Sequence, residues 1–114
     1  MDKFTIYGGT PLKGEVTPGG NKNAALPLIA ACLLTSEPVI LKNVPDIQDV
    51  RTMGKLIECL GVSITKLEPN VWKIEAKEVR PTDLDPDLCR KIRASILLAG
   101  PMAARTGEFQ LPPP

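Results

Sequence analysis

A chain of 114 residues has the length of one ordinary domain, and 43% apolar residues suffice for a packed core, so disorder is not the expectation. A net charge of +1 and only four aromatic residues, Phe4, Tyr7, Trp72 and Phe109, give neither a polyanion-binding surface nor a base-stacking platform, so no nucleic-acid partner is expected. The absence of histidine removes the usual general base and the commonest metal ligand; any acid–base chemistry falls to Lys, Asp, Glu or Cys, and no metal is expected.

The chain opens with two alternating stretches, residues 4–7 and 12–17, around Gly8-Gly9-Thr10-Pro11, which reads as a β-hairpin. No basic start leads into an apolar stretch, so no signal peptide is expected. Gly19-Gly20-Asn21-Lys22-Asn23 then runs into a helix over residues 22–34, with Pro27 loosening its early turns. The two glycines allow a tight bend, and Asn21 is suited to cap the first free N–H groups. Residues 24–34 form an apolar run of eleven, which predicts a buried core helix. It falls short of the roughly 18 to 20 residues a membrane span needs, so no membrane partner is expected.

Lys22 stands where the helix dipole is positive, an unfavourable position by about 0.3–1 kcal/mol, and the apolar run offers it no acidic neighbour within a turn. A cation, free N–H groups and a positive dipole end at one spot make an anion site, most naturally for phosphate or carboxylate. The alternative is a solvated surface lysine beside a loop.

Further along, residues 39–41 read as a short buried strand after Ser36-Glu37-Pro38. A second helix starts with Asp46 as N-cap and Asp49 completing a capping box, carries Ile47, Val50, Met53, Ile57 and Leu60 on one face, and stops at Gly61. Residues 62–67 and 71–76 alternate around Glu68-Pro69-Asn70, a second hairpin. After a linker, Asp85-Pro86-Asp87 opens a third helix with a core stripe of Leu88, Ile92, Ile96, Ala99 and Ala103 and a kink at Gly100-Pro101. Residues 107–111 read as a last strand before an extended Pro112-Pro113-Pro114. Cys32, Cys59 and Cys89 all fall among aliphatic residues in helical patterns and read as inert core thiols of a reducing cytoplasm.

A weak internal repeat runs through this order. A shift of 70 positions lays Asn23-Ala24-Ala25-Leu26 on Arg93-Ala94-Ser95-Ile96, Leu28 on Leu98 and Leu41 on Leu111. Two aliphatic helices also resemble each other by chance. If the units are related, Lys22, Asn23 and Arg93 occupy equivalent ends and converge on one pocket at the junction.

Taken together, Gly14-Glu15-Val16, Gly20 to Pro27, Asn43-Val44-Pro45, Asp49-Val50, Leu60-Gly61 and Arg93-Ala94-Ser95-Ile96 closely resemble the start of the enolpyruvyl transferases, in particular the UDP-N-acetylglucosamine 1-carboxyvinyltransferase family of peptidoglycan synthesis. The sister 3-phosphoshikimate 1-carboxyvinyltransferase family is similar but usually has a Ser-Lys-Ser type turn where this chain has Asn21-Lys22-Asn23. A non-catalytic domain binding a phosphorylated ligand is the reading from another class.

The resemblance implies an α/β (α+β) fold: an inside-out α/β barrel of repeated βαβαββ units in two lobes, incomplete here, with the active site between them. It assigns residues 1–21 to the far lobe, and residues 22–114 to one and a half units of the first. It also implies that Lys22 and Asn23 contact phosphoenolpyruvate and substrate, with Lys22 catalytic, that Arg93 binds UDP-N-acetylglucosamine, and that Asp49 lies near the site. Asp49 is equally explained as a helix cap, and Arg93 as an ion-pair partner of Asp85, Asp87 or Glu58. No cofactor is implied, and the location implied is cytoplasmic. A mobile loop carrying a Cys or Asp general acid is expected after Pro114, so this chain reads as an opening portion, inactive alone, whose apolar faces need the remainder of the enzyme or another copy.

Overall fold

The structure is a computed structural model that describes residues 2–80 and 86–109. Its elements run α1 (Lys22–Ala31), a 3-10 segment Cys32–Leu34, β1 (Val39–Lys42), α2 (Gln48–Cys59), β2 (Ser63–Glu68), β3 (Val71–Glu75), α3 (Pro86–Lys91), a 3-10 segment Arg93–Leu98 and α4 (Ala99–Thr106). The strands form one sheet in the order β1-β3-β2, with both neighbours antiparallel to β3. Leu41 and Lys66 face Trp72 across the two ladders, and a bulge falls between Lys66 and Glu68. The chain is therefore α+β, and α1 to β3 give the order αβαββ.

One sheet face packs on the helices because alternate residues point the same way. Trp72 and Ile74 are buried from the centre of the sheet, with Val39, Leu41 and Ile64 packed beside them. Helix α2 contributes Val50, Met53, Leu56 and Ile57, one apolar stripe at helical spacing. Ile29 and Leu33 from the α1 region, and Leu98 and Met102 from the C-terminal region, close the core.

Several expectations are corrected. Residues 2–21 contain no strand, and their apolar residues Phe4, Ile6, Tyr7, Leu12 and Val16 are 86–100% exposed. An isolated two-stranded ribbon is marginal in water, and among the described residues nothing covers these side chains. The first helix is not buried all round: Ala25, Leu26, Ile29 and Ala30 face the core, whereas Leu28 and Leu34 are 52% and 55% exposed.

Helix α2 starts after Ile47 with no side-chain cap, because Asp46 instead binds Arg51 Nε at 2.7 Å; the capping box is absent. That Arg51 hydrogen bond, reinforced by its charge, holds the Asp46 carboxyl below its ordinary 3.8.

The third helix is three pieces. Ile92 is extended (φ −138°, ψ 134°), so α3 ends there and the 3-10 geometry of Arg93–Leu98 shifts the phase. Ile92, Leu98 and Met102 are buried as a result, while Ile96 is 59% exposed and Ala103 is exposed. Pro101 sits in the first turn of α4, where its missing N–H costs nothing, and no kink is needed. Gly107 caps α4 in the left-handed region (φ 84°), its N–H bonded to Ala103 O at 2.9 Å, rather than opening a strand. The rest of the expected strand at 107–111, the three terminal prolines and the Asp85 cap lie outside the described residues.

Of the cysteines, only Cys32 is buried; Cys59 is exposed and Cys89 intermediate. Cys59 ends α2, where the apolar stripe no longer points at it. Burial pushes the Cys32 thiol above its ordinary 9.0.

Candidate functional site

The turn into α1 is built as the residue types suggest, with one difference. Asn21 is extended (φ −111°, ψ 132°) and its side chain accepts the Asn23 backbone N–H at 2.7 Å, an N-cap. Its carbonyl accepts from Ala24 and Ala25 at 3.2 and 2.9 Å. Neither Gly19 nor Gly20 has positive φ. What Gly20 provides is proximity: a Cβ there would collide with the Asn43 carbonyl oxygen and lie 2.8 Å from Pro45 Cδ. The corner before Lys22 is thus pressed against residues 43–45.

Lys22 is the first helical residue and is half exposed; the acid its own helix lacks comes from α2. Lys22 Nζ lies 3.1 Å from Asp49 Oδ2, with side-chain exposures of 50% and 35%. Asp49 sits in the first turn of α2, favourable for its own charge. An ion pair this open contributes only about 0.2–1 kcal/mol, because water screens both partners. An incoming carboxylate or phosphate therefore competes for the ammonium on easy terms, a phosphate with more oxygens to offer than Asp49 has.

Asn23 spends its backbone N–H on the cap and leaves its residue exposed beside Lys22. Arg93 opens the second 3-10 segment straight after the extended Ile92, as Lys22 opens α1 after the extended Asn21. The two starts stand one residue out of the register that pairs Asn23 with Arg93. Arg93 is exposed and makes no hydrogen bond or ion pair among the described residues; Asp87, one partner weighed for it, pairs with Arg90 at 3.4 Å. Its segment packs against α1. The structure therefore joins Lys22, Asn23 and Asp49 in one cluster, with Arg93 on a neighbouring segment and not bonded to them.

Two residues that shape this region were not singled out from the sequence. Arg105 Nη1 donates to Leu33 O (2.7 Å), Ala76 O (3.0 Å) and Thr35 O (3.2 Å), and Nη2 to Lys77 O (3.4 Å), tying α4 to the end of the first helical region and the two residues that follow β3. Asn70, in the β2–β3 turn, exchanges two hydrogen bonds with Val44. A turn asparagine after proline was the one available signal for Asn70.

Among the described residues no His/Cys/Asp/Glu group could hold a metal ion, and no helix is long and apolar enough to cross a membrane.

Residues 6–112 match the family described as EPSP synthase (3-phosphoshikimate 1-carboxyvinyltransferase). The chain is 51% identical over 114 residues to a protein of Treponema denticola named UDP-N-acetylglucosamine 1-carboxyvinyltransferase, covering 100% of this chain and 27% of that one. A protein of the same name from Bradyrhizobium diazoefficiens is 53% identical over 112 residues, covering 98% of this chain and 26% of its own length. Among solved structures, the enolpyruvyl transferase NikO from Streptomyces tendae superposes with a TM-score of 0.71 at 27% identity, over 90% of this chain and 24% of that one. The chain thus spans about a quarter of the length of these relatives.

Proposed function

We infer that a chain which belongs to the EPSP synthase (3-phosphoshikimate 1-carboxyvinyltransferase) family, as this one does, is the opening part of an enzyme that transfers the carboxyvinyl group of phosphoenolpyruvate to the 3-hydroxyl of UDP-N-acetylglucosamine. The observation that carries this is 51% identity along the entire chain to a protein of that name, with Lys22 standing on a capped helix start where an anion is wanted.

In this reading the sugar hydroxyl gives up its proton and adds to C2 of phosphoenolpyruvate while C3 is protonated, and the tetrahedral adduct then loses a C3 proton as it expels phosphate, which restores the vinyl group. Lys22 holds the anionic donor and stabilises charge on the adduct and on departing phosphate. Asp49 keeps the ammonium in place until the donor arrives, and Asn23 contacts the substrates beside it. Arg93, planar and permanently charged, takes an oxygen pair of the sugar nucleotide's phosphates. The general acid and the rest of the site come from sequence beyond this chain, so the chain alone does not turn over. Phosphoenolpyruvate is a metabolite of the cytoplasm, and the reaction, a step of peptidoglycan synthesis, belongs there.

The same reading accounts for the surfaces left bare. The order αβαββ is a βαβαββ unit short of its opening strand, and further units would complete an inside-out barrel. They would cover Leu28, Leu34, Ile96 and Leu97, which are 37–59% exposed. Residues 1–21 would form their hairpin against the second lobe.

The test is phosphate release from phosphoenolpyruvate by the full-length protein carrying this chain, with UDP-N-acetylglucosamine as acceptor. The family description keeps 3-phosphoshikimate transfer as the second reading. Protection of the full-length protein from heat by shikimate-3-phosphate and not by UDP-N-acetylglucosamine would select it. Saturable binding of both substrates without phosphate release would leave a non-catalytic phospholigand domain.

A further inference from the structure

We propose that Asn70, in the turn between β2 and β3, is a positioning residue for Lys22. The proposal rests on the reading of Lys22 above and adds the element that holds it. Asn70 clasps Val44 from both sides: Val44 N–H donates to Asn70 O at 2.9 Å, and Asn70 Nδ2 donates to Val44 O at 2.7 Å. Val44 is 4% exposed, so its side chain and both backbone groups are fixed together. Among the described residues, no other side chain donates to the backbone of residues 43–45.

That turn is the wall behind the lysine. Asn43, with φ at 59°, aims its carbonyl at Gly20, and its Nδ2 donates to Pro18 O at 3.4 Å. Gly20 leads directly into Asn21, whose side chain and carbonyl hold the first amides of α1. In the other direction the same turn runs through Asp46 into α2 and to Asp49, which grips Lys22 Nζ at 3.1 Å. Both the root and the tip of the Lys22 side chain are therefore referenced to residues 43–45, and those residues are referenced to Asn70. Reacting groups depend on ångström-scale placement, so a shift of this turn is felt at the anion.

The experiment uses the full-length protein and two variants that disturb the turn from opposite sides. Asn70→Ala removes the amide donor while keeping the backbone bond to Val44; Gly20→Ala pushes the wall away. In each, hydrogen exchange of the Asn23, Ala24 and Ala25 amides should accelerate, while Ile57 and Ile74 amides in the core keep their rates. The KM for phosphoenolpyruvate should rise about three- to tenfold, the effect of one lost hydrogen bond, with the KM for UDP-N-acetylglucosamine unchanged.

Wild-type exchange rates at residues 23–25 overturn the proposal. So does faster exchange with both KM values moved equally or not at all, which is general loosening. If wild-type protein releases no phosphate from this substrate pair, the functional reading fails separately. Positioning is then decided by inorganic phosphate: heat protection lost in Asn70→Ala as in Lys22→Ala supports it, and protection retained overturns it.

Discussion

Arg105 is the residue whose removal should loosen this structure most for its size. Its guanidinium serves four carbonyls, at 2.7, 3.0, 3.2 and 3.4 Å, drawn from the end of the first helical region, from Thr35, and from the two residues that follow β3. None of these carbonyls continues a helix, so Arg105 is their main protein partner. A hydrogen bond from a charged donor contributes about 1.5–3 kcal/mol, and Nη1 has only two hydrogens to share among its three carbonyls, so the upper bound there is about 6 kcal/mol. Water reaches part of the site and recovers some of this. We expect Arg105→Met, which keeps the apolar stem, to cost about 2–4 kcal/mol. Arg105→Lys should recover less than half, because a single ammonium cannot span the same fork. Urea unfolding followed by the fluorescence of Trp72, the sole tryptophan, measures both. A loss under about 0.5 kcal/mol in Arg105→Met, the scale of an ordinary surface change, would refute the assignment.

Three further outcomes follow from the packing and the charges. Asp49→Asn should lower stability by less than about 1 kcal/mol, because its bond to Lys22 is half in water, and added salt should shrink the difference in unfolding midpoint. Cys59 should react with a thiol reagent in the native protein while Cys32 reacts only on unfolding; equal rates would contradict the burial described. The raised Cys32 pKa also gives a sign: its stabilising share is intact below 9.0, the unfolded value, and is lost as pH climbs toward the folded one. Unfolding midpoints above pH 9.0 should therefore fall less steeply in Cys32→Ala. Asp46 has the opposite sign, its carboxyl lowered by Arg51, so its share is present above 3.8 and fades as pH falls further. Acid titration of Asp46→Asn should lack that part of the decline.

Periodicity revealed elements wherever one face is dry and the other wet. Helix α2 and the β2–β3 hairpin were legible for that reason, as was the Asn21 cap, which depends only on neighbours in sequence. The apolar run of β1 marked a strand but not its setting: it is an edge of the sheet, with Ile40 53% exposed and no residue fully buried, rather than a buried strand. Where a segment's partners lie elsewhere, local pattern misled. The alternation in residues 4–7 and 12–17 says that those side chains suit a pleated surface, and none of the described residues covers them. The uniform apolar run of the first helix could not show which side would be left bare. Asp46 had a local bond to make with Arg51 that outcompeted capping, and Ile92 broke a helix with no glycine or proline to announce it.

The site divides the same way. Lys22 was singled out through the turn that carries it and Asn23 through the resemblance and the repeat, whereas the Lys22–Asp49 contact joins residues 27 apart and needed the fold. Arg93 came from the resemblance and the repeat, and the structure leaves it exposed with no hydrogen bond or ion pair among the described residues.

The account stands on Lys22 as the grip for an anionic carbon donor. Phosphate release by the full-length Lys22→Ala protein, with phosphoenolpyruvate and UDP-N-acetylglucosamine saturating, tests it most directly. We predict a fall of roughly 10²–10³-fold in kcat, the loss expected on deleting one donor to developing charge, with the unfolding midpoint moved no further than Asp49→Asn moves it. A rate within about twofold of wild type would contradict the account, because a group that binds the reacting charge cannot be removed so lightly.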